Sequence, residues 1–160
     1  MKRFIQYTAM VVFFGASSVN LLAQVQAEKE AKTIRKQLVL PVIDKKVKPP
    51  KGVDLKLMSD DVEYGYTDKK PIRVGSKEEH GGPKAEQHYL NLLLDPDGKK
   101  VSYKRLFSGG NDPEGHMLDC YELTTSAGKK VKLWISMYHP KNKPQKQLAP
   151  VGFYKLKVKK

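Results

Sequence analysis

The sequence contains a single cysteine, Cys120, so no disulfide can form within the chain. A domain without disulfides rests on its hydrophobic core. Cys120 lies within residues 118–123, whose alternating apolar pattern predicts a β-strand. Free cysteines usually behave as small buried hydrophobic residues, so we expect Cys120 to be buried and unreactive. A nucleophilic cysteine assisted by His116, with Asp119 nearby, is the alternative.

Arginine is also scarce. The chain carries 30 Lys and Arg residues against 17 acidic ones, for a formal net charge of +13, yet only Arg35, Arg73 and Arg105 follow the first 27 residues. The guanidinium fork suits paired hydrogen bonds to bases and phosphates, whereas lysine is a hydrated point charge. The composition therefore argues against specific nucleic-acid binding and favours diffuse attraction to an anionic partner. Lysines that only keep the domain in solution are the alternative.

Long apolar runs are absent from the sequence, which has no stretch of the roughly 20 residues that span a bilayer. The first 27 residues instead have the features of a signal peptide. They contain the basic pair Lys2 and Arg3, an apolar stretch at residues 9–16, and slender residues at Val25 and Ala27. We expect cleavage near Ala27 and a periplasmic or secreted protein with no membrane span; an uncleaved membrane anchor is the alternative.

Metal-binding spacing is likewise missing among the four histidines. No two of them are placed as a ligand pair on one helix, so we predict no metal site and no cofactor. His80 and His88 come nearest to a site if they converge with Glu78 and Glu79. The histidines are His80, His88, His116 and His139.

After the predicted signal peptide, the chain divides into an arm and one domain. Residues 28–52 are rich in lysine and proline and predict an extended linker. Residues 53–160 suffice for a single domain with its own core.

The apolar pattern of this domain predicts one helix and several short strands. The helix covers residues 82–94, because Pro83 suits a first turn and Tyr89, Leu92 and Leu93 fall three or four residues apart. Extended segments are predicted at residues 53–57, 62–67, 71–75, 101–107, 118–125, 131–138 and 152–158, the last as a basic edge strand. Together they predict an α+β fold, an antiparallel β-sheet of about four to five strands with one packed helix.

Two connections are predicted from turn-forming residues. Residues 108–115 are glycine-rich and predict a loop, and residues 126–130 predict a hairpin connection. The backbone amides of residues 108–115 could bind an anion. However, this segment precedes a strand and lacks the dipole of a helix N-terminus, so it is a weak phosphate-binding motif.

Aromatic residues interleaved with lysines are the best candidates for a binding site. Strand alternation places Trp134 and Tyr138 on one face, opposite Leu133 and Ile135. These two rings predict a stacking platform for a sugar or another ligand, and the alternative is that they cover a second small core. The predicted ligand-binding residues are Tyr64, Tyr66, Arg73, Trp134 and Tyr138.

Four segments together carry a family resemblance. They are Tyr-Gly-Tyr-Thr-Asp-Lys-Lys-Pro-Ile-Arg-Val-Gly at residues 64–75, Gly-Pro leading into Tyr-Leu-Asn at residues 82–91, Asp-Cys-Tyr-Glu at residues 119–122, and Met-Tyr at residues 137–138. Over residues 53–153 the chain resembles small exported bacterial proteins, common in Bacteroidetes, that are often labelled 2-dehydro-3-deoxyphosphooctonate aldolase. Many members have paired cysteines where this chain has Gly109 and Gly110.

The resemblance implies an exported small domain, and the aldolase label implies an enzyme acting on a carbohydrate or phosphosugar. A barrel of that enzyme class needs about 250 residues, so we favour a domain that binds an anionic or glycan component of the envelope. The enzyme alternative requires convergence of His80, Glu86, His88, His116 and Asp119. A third hypothesis is an interaction protein whose lysine-rich arm tethers a folded head.

Overall fold

The computed structural model describes residues 43–44, 46–75 and 81–158. The predicted signal peptide, most of the arm, and His80 with Glu78 and Glu79 lie outside these residues. Within the described part, no helix has the length and apolar character needed to cross a membrane.

The main sheet has four strands in the order β1-β5-β4-β3. They are β1 (Ile72–Arg73), β3 (Ser102–Asn111), β4 (Met117–Thr124) and β5 (Lys130–Ser136). The last three form an antiparallel meander, while β1 lies parallel to β5. The predicted α+β class is confirmed, but the prediction of a purely antiparallel sheet is wrong. Hairpins join the antiparallel strands, whereas β1 is joined to its parallel partner β5 through the helix and the meander, because a parallel pair needs a long crossover connection.

The helix α1 (Gly81–Asn91) is followed by a small second sheet. In this sheet β2 (Leu93–Leu94) pairs antiparallel with β6 (Tyr154–Lys155). The predicted helix is therefore confirmed but ends earlier than residue 94. Leu93 and Leu94 are both buried, and as a strand they bury their side chains against the C-terminal segment.

One face of the main sheet packs against α1 and forms the core. Tyr89 is fully buried there, and its hydroxyl donates to the Leu148 carbonyl oxygen over 2.7 Å. Strand alternation supplies the facing side chains, which are Tyr121, Leu123, Val131, Leu133 and Ile135. Residues 125–129 connect β4 to β5, close to the predicted hairpin connection at residues 126–130.

Two predicted strands near the start of the domain are wrong. Within residues 53–57 the chain forms a 3₁₀ turn at Leu55–Leu57, because the Asp54 carboxylate accepts a hydrogen bond from the Lys56 amide over 3.1 Å. Residues 62–67 are turns. Gly65 has φ of +81°, and a side chain at this position would collide with Ile72.

Two further predictions at strand ends need correction. The glycine-rich segment is not wholly a loop, because β3 continues through irregular pairing to Asn111 and leaves residues 112–116 as the connection. The C-terminal strand is short, and Lys155 is fully buried rather than at a basic edge. Its Nζ donates to the Pro144 carbonyl oxygen over 2.7 Å, which compensates for the lost hydration of the ammonium group.

Candidate functional site

The face of the main sheet opposite α1, called the outer face, carries several of the predicted binding residues. Arg73 pairs in register with Ser136, and Trp134 lies two positions before Ser136 on β5. Side chains two residues apart along a strand point to the same face, so Arg73 and Trp134 share the outer face. Cys120 pairs with Trp134 and is buried, which confirms the prediction of its burial, and the same burial raises the pKa of its thiol.

Trp134 is half-buried within a small aromatic patch. Its ring meets that of Phe107 edge to face, with centroids 5.7 Å apart and planes at 78°. Gly109 lies against the indole so closely that a side chain there would collide with it. Phe107 keeps 49% of its surface exposed. Together Phe107 and Trp134 form the aromatic patch, a surface for a planar or apolar ligand face.

Lysines lie on one side of this patch, toward the connection between β4 and β5. Lys104 and Lys130 both bind the Glu122 carboxylate, with Nζ–Oε1 distances of 3.3 and 3.2 Å. Lys132 pairs in register with Glu122 and is exposed. Three ammonium groups around one carboxylate leave this part of the face positively charged.

The other predicted binding residues lie in different surroundings. Tyr138 leaves the strand with φ of +66°, and its ring packs against Gly82 at the start of α1. Tyr66 belongs to the core, where its hydroxyl donates to the Val151 carbonyl oxygen over 2.5 Å and burial raises its pKa. Trp134 and Tyr138 thus pack against different neighbours.

Tyr64 and Arg73 meet in a polar cleft at the edge of the sheet. The cleft has a volume of about 260 Å³ and is basic, because Lys69 and Lys70 line it with Arg73 while Asp61 is its acidic member. Burial raises the pKa of the Tyr64 phenol to about 12, so its hydroxyl stays protonated. The Arg73 guanidinium also pairs with Glu114 over 2.7 Å on the outer face.

Four polar side chains form a histidine cluster on the outer face beside Arg73. Its members are Asp112 directly after β3, His116 directly before β4, Ser136 at the end of β5, and His139 three residues later. The His139 amide donates to the Val74 carbonyl oxygen over 3.0 Å, which fixes the chain after β5 beside β1.

Asp112 is the centre of the histidine cluster. Its Oδ1 accepts from the amides of Glu114 and His116 over 2.8 and 2.9 Å, so it shapes the whole connection between β3 and β4. Its Oδ2 accepts from the Ser136 hydroxyl over 2.8 Å. Burial raises the pKa of Asp112, but these hydrogen bonds outweigh it and lower the pKa overall.

The two imidazoles of the cluster lie beside the Asp112 carboxylate. Their ring centroids are 4.1 Å apart. His139 Nε2 lies 2.8 Å from Ser136 Oγ and 3.3 Å from Asp112 Oδ2. Burial and the neighbouring His116 lower the pKa of His139, which favours a neutral ring. A hydrolytic triad would place Ser and Asp at opposite ring nitrogens, whereas both lie at Nε2 here.

A second polar cluster lies on the core face beneath α1. Glu86 Oε2 accepts from the Tyr121 hydroxyl over 2.8 Å, and the Arg105 guanidinium binds Asp119 Oδ1 over 2.6 Å. Glu86 and Asp119 are fully buried. Burial, together with the nearby Asp119 carboxylate, raises the pKa of Glu86 to about 8.

The catalytic cluster of the enzyme hypothesis is divided by this fold. Glu86 and Asp119 meet on the core face, His116 lies on the outer face, and His88 is exposed on α1. His80 lies outside the described residues. An apolar groove of about 460 Å³ lies elsewhere, between residues 46–49 and the 3₁₀ turn, lined by Val47, Leu55, Met58 and Tyr154 among others.

The fold and this surface define the class of the molecule: an α+β domain whose mixed sheet has an outer face bearing aromatic, basic and imidazole groups. No protein family, curated protein or solved structure matches the chain. The resemblance to small exported bacterial proteins stays a prediction.

Sequence reasoning missed Phe107 and the meeting of His116 with His139. The Asp-Pro-Glu-Gly run at residues 112–115 is a turn signal that points to Asp112 as the organiser of the connection. No comparable local signal places His139 beside it, because the two positions meet only through the pairing of β4 with β5.

Proposed function

We propose that this chain is an exported domain that binds an anionic glycan of the cell envelope across its outer face. Export with cleavage near Ala27, and a periplasmic or secreted location, are part of the proposal. The observation that carries it is the shared face of Trp134 and Arg73. The two positions lie diagonally on neighbouring strands, about 8 Å apart, given a strand rise of about 3.3 Å per residue and a strand spacing of about 4.8 Å. That separation suits a sugar ring on the indole and its acidic group at the guanidinium.

The surroundings of Trp134 support a glycan rather than a peptide or a bare polyanion. Exposed Phe107 adds a second ring to the aromatic patch, and a pyranose presents an apolar face of similar size. Lys104, Lys130 and Lys132 give the outer face a positive charge on one side of the patch. These lysines attract an acidic polymer at long range, while the rings determine where its sugars lie.

The buried carboxyl pair of Glu86 and Asp119 fits a structural role in the core better than a catalytic role. Glu86 holds a proton near neutral pH, as a general acid must. However, Glu86 and Asp119 are both fully buried beneath α1, away from the surface where a substrate would bind. This burial is why binding is proposed ahead of catalysis.

Trp134 is the only tryptophan, so its fluorescence reports on the proposed site alone. We expect oligogalacturonate, an acidic oligosaccharide, to change this emission saturably in low salt. The apparent affinity should fall as salt rises, because lysine attraction is screened over about 10 Å at 0.1 M. A neutral maltooligosaccharide of equal length should bind more weakly, and polyphosphate should bind without the sugar-dependent spectral change.

Phe107→Ala is expected to weaken oligogalacturonate binding by roughly tenfold, because removing an aromatic contact at a binding surface costs about 1–2 kcal/mol. Leu55→Ala is the matched control, since Leu55 is 55% exposed but lines the apolar groove. Calorimetric titration measures both. Unchanged affinity in Phe107→Ala, or a loss confined to Leu55→Ala, would contradict the proposed surface. The absence of any binding by acidic glycans would contradict the proposed function.

A further inference from the structure

We infer that Asp112, His116 and His139 form a binding site for a transition-metal dication, with Zn²⁺ the best match. The inference goes beyond glycan binding and does not depend on it. The carboxylate oxygens and the imidazole nitrogens of these residues lie within 4.8 Å of one another. Three ligands from imidazole and carboxylate, with a fourth position left for water, are the donor set of an open zinc site.

The spacing of the ligand atoms is that of coordinating groups, and a bound ion would replace the 2.8 Å contact of His139 Nε2 with Ser136 Oγ. His139 Nε2 lies 3.3 Å from Asp112 Oδ2, and His116 Nδ1 lies 3.6 Å from Asp112 Oδ1. Ligand atoms about 2.0–2.1 Å from a tetrahedral zinc ion lie about 3.3–3.4 Å from each other. Both distances exceed those of ordinary hydrogen bonds and approach the edge of such a tetrahedron.

The His116 ring supplies an independent observation. Its Nδ1 atom is buried and has no hydrogen-bond partner among the described residues. A buried ring nitrogen without a partner is costly, and a bound cation would use its lone pair. The same nitrogen faces the Asp112 carboxylate.

Two side chains, Ser136 and Glu114, are placed to orient the proposed ligands Asp112 and His139. Ser136 donates to Asp112 Oδ2 over 2.8 Å, and this holds the carboxylate in place. Metal binding at His139 Nε2 requires the ring proton on Nδ1, and Glu114 Oε2 lies 3.9 Å from that atom. Arg73 in turn binds Glu114. Metal-bound histidines commonly have such a carboxylate behind them.

The chemistry of the donors selects the class of metal. Imidazole nitrogens favour Zn²⁺ and other first-row dications, whereas Mg²⁺ and Ca²⁺ favour sites built wholly from oxygen. The Asp112 carboxylate offsets half of the charge of the ion. The histidine cluster therefore fits one Zn²⁺ and does not fit Mg²⁺.

The test is calorimetric titration of the full chain, stripped of metal with a chelator, against ZnCl₂ and MgCl₂. We expect one zinc ion per chain in the micromolar range or tighter and no uptake of magnesium. His116→Ala should weaken zinc binding by at least about 100-fold, because it removes a ligand. His88→Ala is the matched control, an exposed histidine on α1 that should change nothing.

A second pair of measurements keeps the inference testable if one variant misfolds. Glu114→Gln should weaken zinc binding by about tenfold with the ligands intact. Cobalt(II) should give the intense visible absorption of a tetrahedral site, and His116→Ala should abolish it. The inference is overturned if zinc fails to bind, if His116→Ala binds as tightly as the wild type, or if His88→Ala loses as much affinity.

Discussion

Glu86→Gln is expected to remove most of the decline in stability that the wild-type protein shows as the pH rises from about 5 to about 9. Glu86 is fully buried on the core side of α1, where Oε2 accepts from Tyr121. Oε1 and Asp119 Oδ2 are both buried, and the proton of Glu86 is shared in a hydrogen bond between the two carboxyl groups. Burial and the Asp119 carboxylate raise the pKa of Glu86 from an ordinary value of 4.5 to about 8.

The sign of this pH dependence follows from proton linkage. Because the pKa is higher in the folded state, folding favours the protonated form of Glu86. The resulting stabilisation is complete below pH 4.5 and is lost as the pH rises through about 8. The expected loss is on the order of 5 kcal/mol, since each pH unit between the two pKa values corresponds to about 1.4 kcal/mol.

Glutamine matches the shape of the protonated side chain and does not titrate. Its oxygen accepts from Tyr121, and its amide group can donate toward Asp119. We expect the variant to match the wild type near pH 5 and to exceed its stability at pH 9. Urea unfolding, followed by far-UV circular dichroism at pH 5, 7 and 9, measures the difference between the two proteins.

Glu122→Gln is the control for this experiment. Glu122 lies on the outer face, where Lys130 and Lys104 lower its pKa, so its titration falls below the pH window. Burial lowers the pKa of His139, so its titration acts on stability in the opposite direction, and the quantity compared is the variant-minus-wild-type difference. Equal slopes in the wild type and Glu86→Gln would contradict the burial of an ionisable Glu86.

The helix itself was predictable from local pattern, but its most consequential residue was not. Pro83 in the first turn and the spacing of Tyr89 and Leu92 sufficed to place α1. That pattern predicts that Glu86 is exposed. Its burial depends on Tyr121 and Asp119 of β4, more than thirty residues away, which no local periodicity reports.

The location of Phe107 shows a different limit of strand periodicity. Simple alternation from Tyr103 through Arg105 puts Phe107 on the core face. The pairing shifts between Arg105 and Phe107, where Arg105 pairs with Tyr121 but Phe107 pairs with Cys120. One extra residue reverses the side on which every later side chain lies. The aromatic patch exists because of this irregularity.

Phe153→Ala is expected to lower the free energy of unfolding by about 3–5 kcal/mol, the usual cost of truncating a buried phenylalanine. Phe153 is fully buried in the main core, immediately before β6. The same substitution at exposed Phe107 loses one edge-to-face contact with Trp134, which contributes only about 1 kcal/mol. Urea unfolding of both variants provides a matched comparison of one substitution in two environments.

Binding should respond to these two substitutions in the opposite order. Phe153→Ala removes core volume without touching the outer face, so the molecules that remain folded should bind oligogalacturonate with unchanged affinity. Phe107→Ala should remain nearly as stable as the wild type and bind roughly tenfold more weakly. If Phe153→Ala does not fold at 25 °C, Phe153→Leu, with an expected cost of about 1 kcal/mol, replaces it in both assays. Parallel losses of stability and affinity in both variants would mean that binding depends on the whole fold. The expected reversal would instead place the contact at the aromatic patch.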